Sequence, residues 1–318
     1  MSQARTATSP LGTQPEIVVV GSTMIDMIAY TKKVPDAGET VIGDSFSLGF
    51  GGKGANQAVM ASRMGAKVYM VNTLGDDVFG DTTLKNFQEQ GIDTTFVARA
   101  SGASGVAPIW VEPNGTNRII CVPGANNSMT EQQAENAITA LSNAKVVIGQ
   151  LEIPQAVTIA AFRKAREFGI TTILNPAPFA PLSDELVAMS DWIIPNETEF
   201  AGLNPEGNLS ESDEEILKVA KALGCRFVVT LGEKGAAYTD QDHSKVVRVS
   251  APKVNAIDTT GAGDSFVGSF AFGLATGFEI EKAVKLGCAC ASDSVTKLGT
   301  QSSYPSKEAA ASLLKSIS

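Results

Sequence analysis

Short apolar runs recur along the chain, each closed by a small or polar residue. Glu16-Ile-Val-Val-Val-Gly-Ser opens the series. Lys67-Val-Tyr-Met-Val-Asn, Lys145-Val-Val-Ile-Gly-Gln, Thr171-Thr-Ile-Leu-Asn, Trp192-Ile-Ile-Pro-Asn and Phe227-Val-Val-Thr continue it. Runs this short and this continuous predict strands buried on both faces. Between many of them the apolar residues repeat at helical spacing, over 56–64, 81–90, 130–142, 153–168 and 212–223. Strand-helix alternation predicts an α/β fold: a large Rossmann-like three-layer α/β/α domain around a mostly parallel sheet. Such sheets bind ligands at the carboxyl ends of their strands. Gln150-Leu-Glu152, Asn175, Asn196 and Thr230 fall there.

Two segments break the alternation. Residues 25–48 and 105–123 read as extended pieces with turns and no long helix. Glu112-Pro-Asn-Gly-Thr-Asn-Arg carries an Asn-Gly pair, a strong hairpin signal. These pieces are expected to form a small β lid. A small sheet cannot bury both faces alone, so it should cover the active site or pack against another subunit. The predicted division is a disordered tail over 1–15, an α/β body over 16–24, 49–104 and 124–318, and the lid over 25–48 and 105–123.

Composition narrows the function. The 318 residues, 43% hydrophobic, suffice for one large α/β domain or two ordinary ones. A net charge of −9 argues against a nucleic-acid surface, which needs basic patches. No apolar run has the length needed to span a bilayer, and residues 1–15 lack the apolar stretch of a signal peptide. Four cysteines in a chain this long make no disulfide scaffold, and a reduced, cytoplasmic protein is expected. His243 stands alone in a polar stretch and reads as a turn residue, so a zinc site is not expected.

Two glycine-rich stretches carry the candidate chemistry. Asp258-Thr-Thr-Gly-Ala-Gly-Asp264 is followed at once by an amphipathic helical run over 265–277. It reads as a tight loop feeding a helix start, where free N–H groups and the helix dipole attract anions. An acid beside an anion site, near a hydroxyl, is the equipment of phosphoryl transfer. By itself Asp264 reads equally as a plain helix cap. The second stretch is Gly49-Phe-Gly-Gly-Lys-Gly-Ala-Asn56, leading to a helix expected near Asn56. A P-loop needs Ser or Thr after its Lys; here Gly54 follows Lys53, and Ser47 stands at the first glycine position. A dinucleotide fingerprint fails because Gly21-Ser-Thr-Met lacks its glycines.

The combination closely resembles the ribokinase branch of the PfkB carbohydrate-kinase family. Gly51-Gly-Lys-Gly-Ala-Asn-Gln57, Gly75-Asp-Asp-x-Phe-Gly80, Asn196-Glu-Thr-Glu199, Thr230-Leu-Gly-Glu-Lys-Gly235 and Asp258–Asp264 occur in the family's order. The resemblance covers about residues 17 to 305. It implies ATP-dependent phosphorylation of a sugar 5-hydroxyl, D-ribose in that branch. Asp264 is then the base, and the N–H groups of Gly261, Ala262 and Gly263 form an anion hole. Asp26, Gly52, Lys53, Asn56, Glu152 and Asp264 match sugar-binding positions. Asn196, Thr230, Gly232, Gly235, Gly263 and Cys288 match positions around ATP, and Glu199 would act on Mg²⁺ through water.

Asp258 with Thr260, Ser294, Lys297, Gly299 and Ser303 matches a K⁺ site made of hard oxygen donors. The resemblance also implies a homodimer formed through the lid sheet. Two positions depart from the pattern. Met24 stands where many members carry an Asn that contacts the sugar, and a thioether makes no amide hydrogen bonds. Cys288 replaces the usual adenine-contacting Asn. A nucleoside kinase would want apolar surface over a base, and a non-catalytic sugar sensor on the same fold would need no acid at 264.

Overall fold

The computed structural model describes residues 14–204 and 212–317. The tail expected over 1–15 therefore lies, up to residue 13, outside the described residues. In chain order the elements are β1 (Glu16–Val20), β2 (Met24–Tyr30), β3 (Ser45–Gly51), α1 (Lys53–Met64), β4 (Lys67–Gly75), α2 (Val78–Glu89), β5 (Asp93–Ala100), β6 (Val106–Val111) and β7 (Asn117–Ile119). Then come α3 (Glu131–Ala140), β8 (Val146–Gly149), α4 (Gln155–Glu167), β9 (Thr171–Leu174), α5 (Asp184–Met189), β10 (Trp192–Ile193), α6 (Glu197–Leu203) and α7 (Asp213–Leu223). Last are β11 (Arg226–Thr230), β12 (Ala236–Thr239), β13 (Val246–Val249), α8 (Ala262–Ala275), α9 (Ile280–Ser294) and α10 (Lys307–Ile317).

As the alternation of strands and helices predicts, nine strands form one mostly parallel sheet, ordered β13-β12-β11-β10-β9-β8-β1-β4-β5. Only β11/β12 and β12/β13 pair antiparallel. Side chains alternate across β1: Ile17 and Val19 enter one apolar cluster, Val18 and Val20 the other. The first cluster is built with α1, α8, α9 and α10, the second with α3, α4 and α7. Trp192 packs edge-on to Phe270 at 5.5 Å between ring centres, joining the sheet to α8. The chain runs from β1 to β4 on one side and returns at β8 on the other. The carboxyl ends of β1 and β8 therefore flank the crevice where such sheets take ligands.

Four strands form a separate sheet, ordered β3-β2-β6-β7. The Asn-Gly pair forms the β6/β7 hairpin, with Glu112 N–H donating to the Thr116 carbonyl at 2.9 Å. β2 runs on directly from the loop after β1, so the small sheet springs from the same crevice.

Two helix starts differ from the sequence pattern. Helix α1 starts at Lys53 with Gly52 as its cap, three residues before Asn56. Helix α8 starts at Ala262, so Asp264 lies inside its first turn and Gly261 is the cap. That helix is also buried on every side from Asp264 to Gly273, where an amphipathic run was expected; it lies between the sheet and α1 and α9. The edge strands β5 and β13 lack the continuous apolar signature, because edge strands are only partly covered. His243 lies in the β12–β13 loop at φ 48, a turn conformation.

Candidate active site

Helix periodicity builds the centre of the site. Lys53, Asn56 and Gln57 are spaced i, i+3 and i+4 on α1, hence on one face. Asn56 Nδ2 donates to Asp264 Oδ2 at 2.9 Å, and Gln57 Nε2 donates to Asp264 Oδ1 at 2.9 Å. Gln57 is itself held by Gln150, whose Nε2 donates to Gln57 Oε1 at 2.7 Å. Gln57 Nε2 also reaches Asn175 Oδ1 at 3.0 Å. Asp264 is only 6% exposed, yet each of its oxygens keeps capacity for another donor. A buried carboxylate without such partners would be strongly penalised.

A cavity of about 150 Å³ opens over this acid. Lys53, Asn175, Asn196, Glu199, Thr230, Gly261 and Gly263 line it with Asp264. The Lys53 ammonium is raised above its ordinary value: burial works against the charge, but Asp264, Glu152 and Glu199 outweigh it. Lys53 is thus the shared cation of three acids. Glu152, two residues past the polar end of β8, accepts from Ser22 Oγ at 2.5 Å and from the Lys53 N–H at 2.9 Å. It therefore sits at the positive end of α1.

Asp26 belongs to the same acidic group. Burial, then Glu152 and Asp264, push its carboxyl up to about 7. It leans over Gly51, where an added Cβ would come within 2.3 Å of its Oδ1, so a side chain there would displace the carboxylate. Met24 lies two residues before Asp26 on β2, so both side chains leave the same face of the strand.

At the other end of the cavity, Asn196 caps α6. Its Oδ1 accepts from the Glu199 N–H at 2.8 Å, while Glu199 Oε2 accepts from the Asn196 N–H at 2.9 Å. This reciprocal cap uses part of both side chains for structure and leaves them lining the cavity. Burial raises the Glu199 carboxyl, and the Asn196 N–H and Lys53 oppose that rise. Thr230 lines the cavity, whereas Gly232 and Gly235 form the turn between β11 and β12 beside it.

Two expected roles need correction. The Ala262 N–H is not a free donor, because it donates to the Thr259 carbonyl at 3.2 Å. The free turn at the start of α8 falls instead to the N–H groups of Gly261, Gly263 and Asp264, none of which has a hydrogen bond among the described residues. Cys288 is 4% exposed inside the apolar cluster on α9, with its thiol pushed up to about 12 by burial. It does not line the cavity and offers no face to a base.

Asp258 forms a separate cluster behind Gly261. Its Oδ1 accepts from the Thr260 N–H at 2.9 Å and the Thr260 hydroxyl at 2.6 Å, and its Oδ2 from the Gly299 N–H at 2.9 Å. Burial opposes ionisation, but these bonds hold the carboxyl below its ordinary value. Among the other residues of the expected set, the Ser294 carbonyl accepts from the Lys297 N–H at 3.2 Å, and the Ser303 hydroxyl donates to the Thr300 carbonyl at 2.8 Å. Lys297 Nζ lies 3.2 Å from the Ser303 carbonyl. Among the described residues no three His, Cys, Asp or Glu side chains are grouped to hold a metal. A divalent ion here would fit only as Mg²⁺ held largely by phosphate and water, with Glu199 near it.

Asn56 and Gln57, which bond Asp264, lie in the Gly51–Gln57 motif, and Gln150 and Asn175 stand at strand ends. Gln301, a buried amide in the loop after α9, carries no sequence signal.

Residues 14–307 match the pfkB family carbohydrate kinase model. The chain belongs to that family. It is 40% identical over 299 residues to the deoxyribokinase of Salmonella typhi, covering 92% of this chain and 96% of that one. It is 40% identical over 300 residues to the ribokinase of Mus musculus, covering 92% of each. An Arabidopsis thaliana ribokinase solved with ribose and ATP superposes with a TM-score of 0.88 at 30% identity, over 95% of this chain and 99% of that one.

Proposed function

We propose that this family member transfers the γ-phosphoryl group of ATP to the 5-hydroxyl of a pentose, D-ribose in the first reading, giving the sugar 5-phosphate and ADP. The observation that carries this reading is the Asp264 carboxylate, held through both oxygens in the first turn of α8 at the floor of the cavity. A carboxylate is a weak base toward an alcohol. In a loose transition state the proton moves late, so position matters more than basicity. The Gly261 and Gly263 N–H groups at the positive end of α8 suit the charge of the transferring group. Lys53 adds a cation between the acid of transfer and Glu199. Asp26, Glu152, Gly52 and Asn56 are the residues we assign to the sugar hydroxyls.

Mg²⁺ bound with the nucleotide phosphates would neutralise their charge; Glu199 and Asn196 would hold its water shell. A K⁺ ion at Asp258 would steady the loop that ends in Gly261. The reading also takes the protein as cytoplasmic, supported by four free cysteines, and as a homodimer joined through the small sheet. No helix among the described residues is long and apolar enough to cross a membrane.

A second reading has its own observation. Met24 leaves β2 on the same face as Asp26 and is 4% exposed, so it meets the sugar region with a thioether. An apolar group beside a sugar carbon suits 2-deoxy-D-ribose, which lacks one hydroxyl to satisfy. An ADP-coupled assay over ribose, 2-deoxyribose, fructose and adenosine separates the readings. Turnover of a pentose above the other two is expected, and preference for fructose or adenosine would refute the assignment. Asp264→Asn should keep both ligands bound while kcat falls about 10²–10⁴-fold. Near-native turnover by that variant would remove Asp264 as the base.

A further inference from the structure

A chain of side-chain amides runs from α2 to the Asp264 carboxylate. Asn86 Nδ2 donates to Gln301 Oε1 at 3.0 Å, Gln301 Nε2 to Asn56 Oδ1 at 3.0 Å, and Asn56 Nδ2 to Asp264 Oδ2 at 2.9 Å. All four side chains are buried. Arg63 Nη1 clamps the backbone beside the middle of the chain, donating to the carbonyls of Gln301 at 2.9 Å and Tyr304 at 3.1 Å. The functional reading above uses neither Asn86 nor Gln301.

The chain has a direction. An amide offers an acceptor at one end and donors at the other. With the Gln301 carbonyl turned to Asn86, its NH₂ group faces Asn56. The Asn56 carbonyl must turn to meet it, which leaves the Asn56 NH₂ group facing Asp264. Only that end can serve an ionised carboxylate. Reversing one amide would set like ends against each other inside a buried network, where unmet polar groups are costly. Gln301 therefore decides which end of Asn56 meets the base.

Gln301 also lies in the loop that follows α9. Two residues earlier, the Gly299 N–H is held by Asp258. One short loop thus touches Asp258 through backbone and Asp264 through a relay of amides.

We infer that Gln301 is a positioning residue for Asp264, acting through Asn56 and tying the 297–303 loop to the reacting end of the site. The inference rests on the reading of Asp264 as the base. It predicts a loss in kcat with ATP binding kept, because the base and Asn56 are displaced while the nucleotide side of the cavity stays in place.

The test uses the full chain with Gln301→Met, which keeps length and removes both amide ends, and Gln301→Glu, which removes the donor to Asn56. Both should lower kcat about tenfold or more, while KM for ATP stays within about twofold. Added to Asp264→Asn, Gln301→Met should cost less than about twofold more, since residues acting through one group are not additive. A folded Gln301→Met with kcat within about twofold of the parent, or losses that add fully in the double variant, would overturn the inference. If Gln301→Met does not fold, Asn86→Leu, at the far end of the relay, gives the same readout, with a loss of about threefold expected and no loss overturning it.

A parent protein that phosphorylates no pentose would refute the proposed function without deciding this point. The relay is then judged by NMR of the Asn56 side-chain NH₂ group. Slow exchange in the parent that is lost in Gln301→Met supports it, and fast exchange in the parent overturns it.

Discussion

At the scale of single residues, the site stores acids against one another. Glu152, Glu199 and Asp264 share the one Lys53 cation. Burial first, then Glu152 and Asp264, raise the Asp26 carboxyl from 3.8 to about 7. The sign of the stability effect follows. The folded value lies above the unfolded one, so folding favours the protonated form. The stabilisation is complete below about pH 4, where both states are protonated, and is lost as pH rises to 7. Asp26→Asn keeps the neutral form at every pH. In the absence of ligands its melting temperature should exceed that of the parent above pH 7, and the difference should shrink toward pH 4. Melting curves at pH 4.5, 6 and 8 check this; a constant difference across that range would refute the strain at Asp26. The same variant should bind the sugar more weakly, since an acceptor pair is lost.

Much at this scale was legible, and for a reason. Gly51, Lys53 and Asp264 are restricted by local geometry, and local geometry leaves motifs. A side chain at Gly51 would displace the Asp26 carboxylate, and Gly261 needs φ 74 to turn the chain into α8. Gln57, Gln150 and Gln301 are restricted by partners far away in sequence, with separations of 93 residues for Gln57 and Gln150 and 245 for Gln301 and Asn56. Of these, Gln301 looks like any surface glutamine until the fold brings it inward. Cys288 misled because a position matched by resemblance says nothing about which way its side chain points.

At the scale of elements, helix starts organise the chemistry. The positive ends of α1, α6 and α8 meet Glu152, Glu199 and the free turn at Gly261. The burial of α8 explains why its sequence pattern was misread: a helix packed by the sheet, α1 and α9 has no polar face to show. The loop before it, 258–261, is held by Asp258 clasping Thr260 and Gly299 and by the Tyr304 hydroxyl donating to the Gly261 carbonyl at 3.0 Å. A cation bound at that clasp should therefore act on kcat through the placement of Gly261. Activity should rise with K⁺ and barely with Na⁺, and Asp258→Asn should abolish the response. Titrating KCl against a constant total ionic strength checks this. A rate flat in K⁺ would remove the cation from the reading.

At the scale of the whole molecule, the small sheet poses the remaining question. In the β2/β3 register Met27 faces Leu48 and Ala29 faces Phe46, while β6 places Pro108 and Trp110 beside Met27 and Ala29. Residues opposite one another share a face, so these six form an apolar surface on the side away from Asp26. Phe46 is 60% and Leu48 56% exposed. The other face turns Asp26 to the crevice. A sheet of four strands whose outer apolar face is bare is unstable in isolation, and such a face would suit a partner. A second copy of the same sheet would cover it, and burying Phe46 and Leu48 would steady the strand that carries Asp26. Leu48→Lys places a charge in the centre of that surface. Sedimentation velocity at micromolar concentration should find the parent as a dimer and the variant as a monomer. The variant should need more sugar for half-maximal rate, because Asp26 sits on the loosened sheet, while its ATP dependence stays close to that of the parent. A parent that sediments as a monomer across that range would leave the outer face to another partner and refute the dimer.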